Sequence, residues 1–159
     1  MNAVNIQGKD ELRDLYRELI LDHSRSPRHF GKLAAATHTA EGINPLCGDK
    51  LRLYLQLDTD ENIVDASFEG SGCAISVASA SLLTDTVIGI PVQDALIAFA
   101  AVTEHLTTGR SDHTTAVDLG KIHALDGVRE FPARVKCATL AWHALHSAIQ
   151  NQAKPVSTE

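Results

Sequence analysis

The sequence predicts a single α+β domain, in which a small antiparallel β-sheet packs against helices. Two observations predict this class. Apolar residues alternate with polar ones in the region 37–69, as in a sheet with one buried face, and they recur with a helical period on either side of it. The 159 residues suffice for one hydrophobic core, which we expect to span about residues 10–150. The polar tail, residues 151–159, is expected to be disordered or frayed.

The first half of the chain is predicted to contain one helix and a β-hairpin. Leucines at helical spacing indicate a helix over residues 10–23, with Asp10 as its N-cap. A weak strand is expected at residues 37–43. Leucine alternates with polar residues from 51 to 57, and a return strand follows at 63–69 after an acidic turn. The return strand should direct one set of side chains into the core, namely Val64, Ala66 and Phe68.

The second half of the chain is predicted to be helical. A segment rich in Ala, Ser and Leu at residues 73–88 indicates a helix that packs closely against its neighbours. A glycine and a proline separate it from a second helix, which should end at Gly109. Residues 110–120 are polar and are expected to form a loop. A short helical turn at 122–125 should then lead to the last helix, at 133–150.

The composition excludes several classes of function. The net charge is −6, and the seven aromatic residues are spread thinly, so the chain lacks the basic stripe of a nucleic-acid-binding protein. The apolar runs are too short to span a bilayer, so no membrane partner is expected. The N-terminus lacks the charged and apolar regions of a signal peptide. These features predict a cytoplasmic protein.

The three cysteines are the candidate functional residues. An odd number of cysteines in a reducing compartment indicates thiols or metal ligands rather than disulfides. Cys47 and Asp49 flank Gly48 in a Pro/Gly turn, where glycine lets the loop direct both side chains to one point. Cys73 and Cys137 each open a predicted helix, where unpaired backbone N–H groups favour thiolate over thiol. We therefore expect these three cysteines and Asp49 to bind one metal ion.

The donor set leaves the identity of the metal open. Three thiolates and a carboxylate suit tetrahedral zinc, and thiolates are also the usual ligands of iron–sulfur clusters. A purely structural zinc site would favour Cys or His, whereas the oxygen donor of Asp49 indicates a site that can exchange a ligand. Unrelated buried cysteines would be the alternative. The eight histidines show no ligand spacing near a cysteine, although His143 and His146 lie three residues apart on the last helix and could share a surface metal.

Several stretches resemble the NifU N-terminal domain family of iron–sulfur cluster assembly proteins, to which IscU also belongs, and most closely its SufU branch. The resemblance runs from about residue 12 to residue 150. It includes Ser26-Pro27-Arg28 and Asn44-Pro45-Leu46. Its most specific motifs, in this order, are Cys47-Gly48-Asp49, Gly72-Cys73-Ala74-Ile75-Ser76 and Lys136-Cys137-Ala138-Thr139-Leu140.

The resemblance implies an antiparallel sheet covered by helices, with a metal site at one exposed end. It implies that the ligands are Cys47, Asp49, Cys73 and Cys137. It also implies two kinds of partner, a pyridoxal-phosphate-dependent cysteine desulfurase of the SufS type and a downstream cluster-assembly scaffold. The IscU branch usually has His immediately before the last cysteine, where this sequence has Lys136. The segment between the second and third cysteines is also longer than in that branch, and both features are typical of the SufU branch.

SufU-like proteins are zinc-dependent sulfur acceptors. The resemblance therefore implies a sulfurtransferase that relays persulfide sulfur from the desulfurase, with Cys47 as the acceptor. Arg134 and Lys136 lie beside Cys137 and could stabilise thiolate charge or contact the partner, although cations at a helix N-terminus oppose its dipole. The alternative is a scaffold without enzymatic activity that holds a transient two-iron cluster. A cluster would colour the protein brown, whereas zinc would leave it colourless.

Overall fold

The computed structural model describes residues 3–109, 118–151 and 154–158, so most of the predicted 110–120 loop lies outside the described residues. A four-stranded sheet and the helices packed on it make up this part of the chain. The elements in chain order are α1 (Ala3–Arg25), β1 (His38–Asn44), β2 (Asp49–Leu57), β3 (Ile63–Ser71), α2 (Ala74–Val87), α3 (Val92–Thr108), a 3₁₀ segment (Gly120–Glu130), α4 (Pro132–Ile149) and β4 (Val156–Ser157).

The predicted helices are present, with some of their ends shifted. The largest shift is in α1, which begins at Ala3, so the prediction that Asp10 is its N-cap is wrong. Asp also occurs inside helices at a small cost, and a cap residue alone is therefore a weak signal for a helix start. Cys73 is the N-cap of α2, Gly109 ends α3 in the left-handed conformation, and Pro132 is the first residue of α4.

The sheet has the strand order β3-β2-β1-β4. The strands β1, β2 and β3 are antiparallel neighbours, as predicted. The strand β4 runs parallel to β1, with Val156 opposite Gly42, so the sheet is mixed rather than purely antiparallel. The Thr158 N–H also donates to the carbonyl of Ile43. Because this short pairing uses backbone atoms, it leaves no side-chain pattern in the sequence.

The register of the sheet turns the predicted apolar face toward the helices, with one exception. The leucines at the centre of β2 are buried, whereas Val64 of β3 is 45 % exposed, so the prediction for Val64 is wrong. Gln56 of β2 lies opposite Asp65. The next residue, Leu57, lies opposite Ile63, which leaves Val64 without a partner on β2. This shift acts as a β-bulge, and Ile63 takes the buried position.

The core lies between the sheet and the helices. Helix α4 is central, because it contacts β1, β2, α2 and α3, and its Trp142 is fully buried. Helix α1 packs on α2, where the buried ring of His23 contacts the Ser81 hydroxyl at 2.7 Å. Among the described residues, no helix combines the length and the apolar character needed to cross a membrane. The turn between β1 and β2 lies at one end of the sheet, next to the start of α2, where the Cys73 N–H donates to the Asp49 side chain.

Candidate metal centre

Three separate parts of the sequence meet at the end of the sheet where β1 turns into β2. The turn carries Cys47, and Asp49 begins β2. Gly48 lies between them with a φ of +70°, a conformation that favours glycine. Cys73 comes from the N-terminus of α2, and Cys137 comes from α4. The fold thus brings together the residues that the sequence predicts to be functional.

Three of the four predicted donors form one close group, and the Cys73 thiol lies beside the carboxylate of that group. The Sγ atoms of Cys47 and Cys137 and a carboxylate oxygen of Asp49 are within 4.8 Å of one another. The Cys73 Sγ is 4.0 Å from Asp49 Oδ2. In tetrahedral zinc, bonds of about 2.3 Å to sulfur and about 2.0 Å to oxygen separate the ligand atoms by roughly 3.5–3.8 Å. The donor set therefore fits such an ion with small adjustments, and the role of the four residues as ligands remains a prediction.

Asp49 is fixed in place by its neighbours, and its residue is 1 % exposed. The backbone N–H of Cys73 donates to Oδ1 at 2.8 Å, and Asn44 Nδ2 donates to Oδ2 at 3.3 Å. Gly72 leaves the space that the carboxylate needs, because a Cβ at this position would lie 2.5 Å from Oδ1. The orientation of the carboxylate is thus set by the fold itself.

Asn44 is a residue of the site to which the sequence analysis assigned no role. It is fully buried, and its Nδ2 lies 3.4 Å from the Cys137 Sγ as well as 3.3 Å from Asp49 Oδ2. Its Oδ1 is buried without a hydrogen-bond partner among the described residues. The hairpin register could have revealed it, since Asn44 pairs with Asp49 across the turn. Asn44 therefore connects the donor on β2 to the donor on α4.

Cys137 is the buried thiol of the site, 1 % exposed. Burial, and then the other two thiols and the carboxylate, raise the pKa of the Cys137 thiol far above its ordinary value. The prediction that Cys137 lies in the first turn of its helix is wrong, because α4 begins at Pro132 and Cys137 is its sixth residue. Its Sγ lies 3.5 Å from the Ala133 carbonyl oxygen instead. The helix N-terminus does not favour its thiolate, and a bound cation would have to do so.

The three thiols differ in their access to solvent. Cys47 is exposed, Cys73 is half-buried, and Cys137 is buried. Leu46, the neighbour of Cys47, is 67 % exposed and adds an apolar group to the same turn. The Cys73 side chain accepts a hydrogen bond from the Ser76 N–H at 3.4 Å, as an N-cap does. Cys47 is therefore the thiol that a second protein can reach most easily.

The thiols line a groove of about 1170 Å³ that runs beside α1 and the 3₁₀ segment. Arg134 lines this groove, and its guanidinium carbon lies 4.7 Å from the centre of the Phe131 ring. Lys136 lines a separate depression with Val135 and Thr139, so the structure separates the two cations that the sequence analysis paired. Three further arginines of the groove come from distant positions, which the sequence analysis missed: Arg13, Arg17 and Arg129.

The fold and the site together define a class of protein: an α+β domain that presents thiols and a carboxylate suited to a metal ion at one end of its sheet. The chain belongs to the family of the NifU-like N terminal domain, whose family model matches residues 15–138. The family resemblance predicted from the cysteine motifs is thereby confirmed.

Two relatives cover most of this chain. It is 42 % identical over 141 residues to the zinc-dependent sulfurtransferase SufU of Bacillus subtilis, a match that spans 89 % of this chain and 93 % of that protein. It is 41 % identical over 143 residues to the iron–sulfur cluster assembly scaffold protein IscU of Streptococcus pyogenes, spanning 90 % and 87 %. The crystal structure of FiSufU from Fervidobacterium islandicum AW-1 superposes with a TM-score of 0.73 at 36 % identity, covering 83 % of this chain and 94 % of that one.

Proposed function

We propose that this protein acts in iron–sulfur cluster assembly as a zinc-dependent sulfur acceptor, which takes persulfide sulfur from a pyridoxal-phosphate-dependent cysteine desulfurase. The proposal rests mainly on the difference in solvent exposure among the predicted metal ligands. Asp49 and Cys137 are buried, whereas Cys47 is exposed on a turn. Cys47 is therefore accessible to a partner protein, whereas the buried donors would keep a bound metal ion in place. The similarity to a protein named as a zinc-dependent sulfurtransferase supports the same function.

Zinc fits the chemistry of the donor set. Cys47, Asp49, Cys73 and Cys137 would hold the ion, since three of these donors lie within 4.8 Å of one another and the Cys73 Sγ lies 4.0 Å from Asp49 Oδ2. Zinc, when bound, keeps its cysteine ligands deprotonated. This matters most for Cys137, because burial raises the pKa of its thiol. The other two thiols, those of Cys73 and Cys137, are less exposed than Cys47, and this lower exposure protects them from reaction with a partner.

The sulfur transfer is a thiol exchange in which Cys47 is the nucleophile. The Cys47 thiolate attacks the outer sulfur of the persulfide on the desulfurase. A new S–S bond forms at Cys47, the S–S bond of the desulfurase breaks, and the desulfurase cysteine leaves as a thiolate. The product is a persulfide on Cys47, with no net oxidation or reduction. A downstream cluster-assembly scaffold would then receive the sulfur.

Arg134 has the position to assist this transfer. It lines the groove that contains all three thiols, where a cation can stabilise the negative charge of a thiolate or persulfide. It can also contact an acidic group of the desulfurase. Lys136 lines a different depression, so we assign to it a contact with the partner rather than a charge role at the thiols.

A second candidate is a scaffold that holds a transient two-iron cluster. Thiolates are the usual ligands of such clusters, and several relatives are named as IscU scaffold proteins. Lys136 favours the first candidate, because the scaffold branch usually carries His at that position. The absorption spectrum of protein purified without oxygen separates the two, since a cluster absorbs visible light and zinc does not.

The proposal is tested by the rate at which a purified cysteine desulfurase releases alanine. We expect strong stimulation by the zinc-loaded protein and little by the metal-free protein or by zinc-loaded Cys47→Ser. Asn62→Ala, in the turn between β2 and β3, is the matched control and should stimulate like the unmodified protein. Failure of the zinc-loaded protein to stimulate, together with cluster assembly when iron and sulfide are supplied, would favour the scaffold.

A further inference from the structure

A second group of metal-binding side chains lies between α3 and the 3₁₀ segment. His105 comes from α3, and His123 and Asp126 come from the 3₁₀ segment. His105 Nε2 is 2.8 Å from Asp126 Oδ1, and His123 Nδ1 is 3.1 Å from Asp126 Oδ2. One donor atom from each residue lies within 4.8 Å of the others. His105 lies 18 positions before His123 and 21 before Asp126 in the sequence, so the spacing of the histidines did not reveal the group.

The arrangement is close to that of three protein ligands on one ion. With bonds of about 2.0–2.1 Å to nitrogen and oxygen, tetrahedral zinc separates its ligands by roughly 3.3–3.4 Å. The two nitrogen–oxygen distances, 2.8 and 3.1 Å, are shorter than this ligand separation by about half an ångström or less. Small side-chain rotations can lengthen them by this amount. All three residues are half-buried, so they are positioned by the fold and remain partly accessible to solvent.

We propose that His105, His123 and Asp126 form a second binding site for zinc or a related divalent transition metal. Two imidazoles and one carboxylate are typical of an open site, in which water completes the coordination. The site differs from the thiol centre in having no sulfur ligand, so it should exchange its metal more readily. Bound metal would tie α3 to the 3₁₀ segment, which contributes Val128 to the wall of the thiol groove.

Arg129 competes with a metal ion for this group. Its guanidinium nitrogen lies 3.5 Å from His105 Nε2 and 3.7 Å from Asp126 Oδ2, so a positive charge already stands beside the donors. A divalent ion would be repelled by this charge and would have to displace it. Removing the charge should therefore tighten metal binding. A hydrogen-bonded group with no capacity for metal would not respond in this way.

The test is a calorimetric titration with Zn²⁺ of protein that already carries one equivalent of zinc at the thiols. We expect a second equivalent to bind, with affinity reduced about tenfold or more in His123→Ala and in Asp126→Asn. Arg129→Gln should bind the second equivalent several-fold more tightly. His38→Ala, on β1, is the matched histidine control and should leave both equivalents unchanged. Circular dichroism of each variant verifies that it is folded.

Two results would overturn the proposal. One is the absence of a second equivalent in both the unmodified protein and Arg129→Gln. The other is a second equivalent of zinc that binds with the same affinity in His123→Ala and in Asp126→Asn as in the unmodified protein. Such a result would show that the second zinc ion binds at another site. The outcome is independent of the proposed sulfur transfer, because the thiol centre stays loaded throughout.

Discussion

Asn44 and Asp49 lie directly opposite each other in the register of β1 and β2, with Asn44 Nδ2 3.3 Å from Asp49 Oδ2. This pairing closes the turn that carries Cys47. Because the same amide lies 3.4 Å from the Cys137 Sγ, a single side chain orients one donor on the sheet and one donor on α4. The geometry of the metal centre thus depends on a residue that is not itself a predicted ligand.

The first prediction concerns this amide. Asn44→Ala removes the donor to Asp49 and Cys137, and we expect zinc affinity to fall about 10–100-fold, as for other residues that orient metal ligands. Competition with a chromophoric chelator measures the affinity. Asn62→Ala, in the turn between β2 and β3, is the matched control. An affinity in Asn44→Ala equal to that of the control would show that the amide does not orient the ligands.

A methyl group at Gly72 tests whether the carboxylate needs its present position. The Cβ of Gly72→Ala would lie 2.5 Å from Asp49 Oδ1, so either the carboxylate or the start of α2 must move. We expect a loss of zinc affinity and a decrease of about 1–3 kcal/mol in the free energy of unfolding. The measurements are chelator competition and denaturant titration.

Gly127→Ala is the control for this substitution. Its Cβ would have no atom within 4 Å, so both zinc affinity and stability should stay close to those of the unmodified protein. If Gly72→Ala had the same zinc affinity and stability as Gly127→Ala, the close approach of position 72 to the carboxylate would not matter for metal binding or folding.

The sequence reveals a functional or buried residue most readily when the evidence for it lies in the neighbouring residues of the chain. Cys47, Gly48 and Asp49 form one short motif, and Cys73 follows Gly70-Ser71-Gly72 at the start of a helix, so neighbouring residues sufficed to single them out as candidates. Val64 was misplaced because the register shift depends on how two strands pair. A bulge of this kind changes which residues face the core without altering the alternation in the sequence.

The stability of the protein should decrease in mild acid because of His23. Burial, and then the charge of Arg28, lower the pKa of this histidine below 6.5. As the pH falls below about 6.5 the unfolded chain binds more protons than the folded chain, so the free energy of unfolding decreases. Burial lowers the pKa of His143 as well, which adds to the same effect.

His23→Gln separates the contribution of His23 from the rest. Glutamine retains an acceptor for the Ser81 hydroxyl but cannot be protonated, so the decrease in stability between about pH 7 and pH 5 should be smaller than in the unmodified protein. Urea titrations at each pH measure it, with His38→Gln as the control. An equally steep decrease in His23→Gln and in the control would contradict this account.

Metal removal should leave the domain folded. The core around Trp142 and the leucines of β2 does not include the thiol centre, and it is large enough to sustain the fold. We expect metal-free protein to unfold cooperatively at a lower temperature than zinc-loaded protein, since a ligand of the folded state stabilises it. Fluorescence of Trp142, which is fully buried, reports this transition. Loss of cooperative unfolding without metal would indicate a structural zinc site instead.

The second donor group illustrates what a sequence cannot convey. His105 reaches His123 and Asp126 because α3 packs against the 3₁₀ segment, and no motif joins these positions. The pair that the sequence spacing suggested, His143 and His146, lies instead against the ring of Phe99. Helical spacing places two residues on one face, but the elements packed against that face decide what they contact.

Mass spectrometry of the protein after one round of the desulfurase reaction tests most directly whether Cys47 accepts the transferred sulfur. Thiols and persulfides are alkylated without reductant, and trypsin then cleaves after Lys50 and Lys136, which places the three cysteines on separate peptides. We expect one additional sulfur atom on the peptide that contains Cys47. Sulfur found on the peptide of Cys73 or Cys137, and never on that of Cys47, would contradict it.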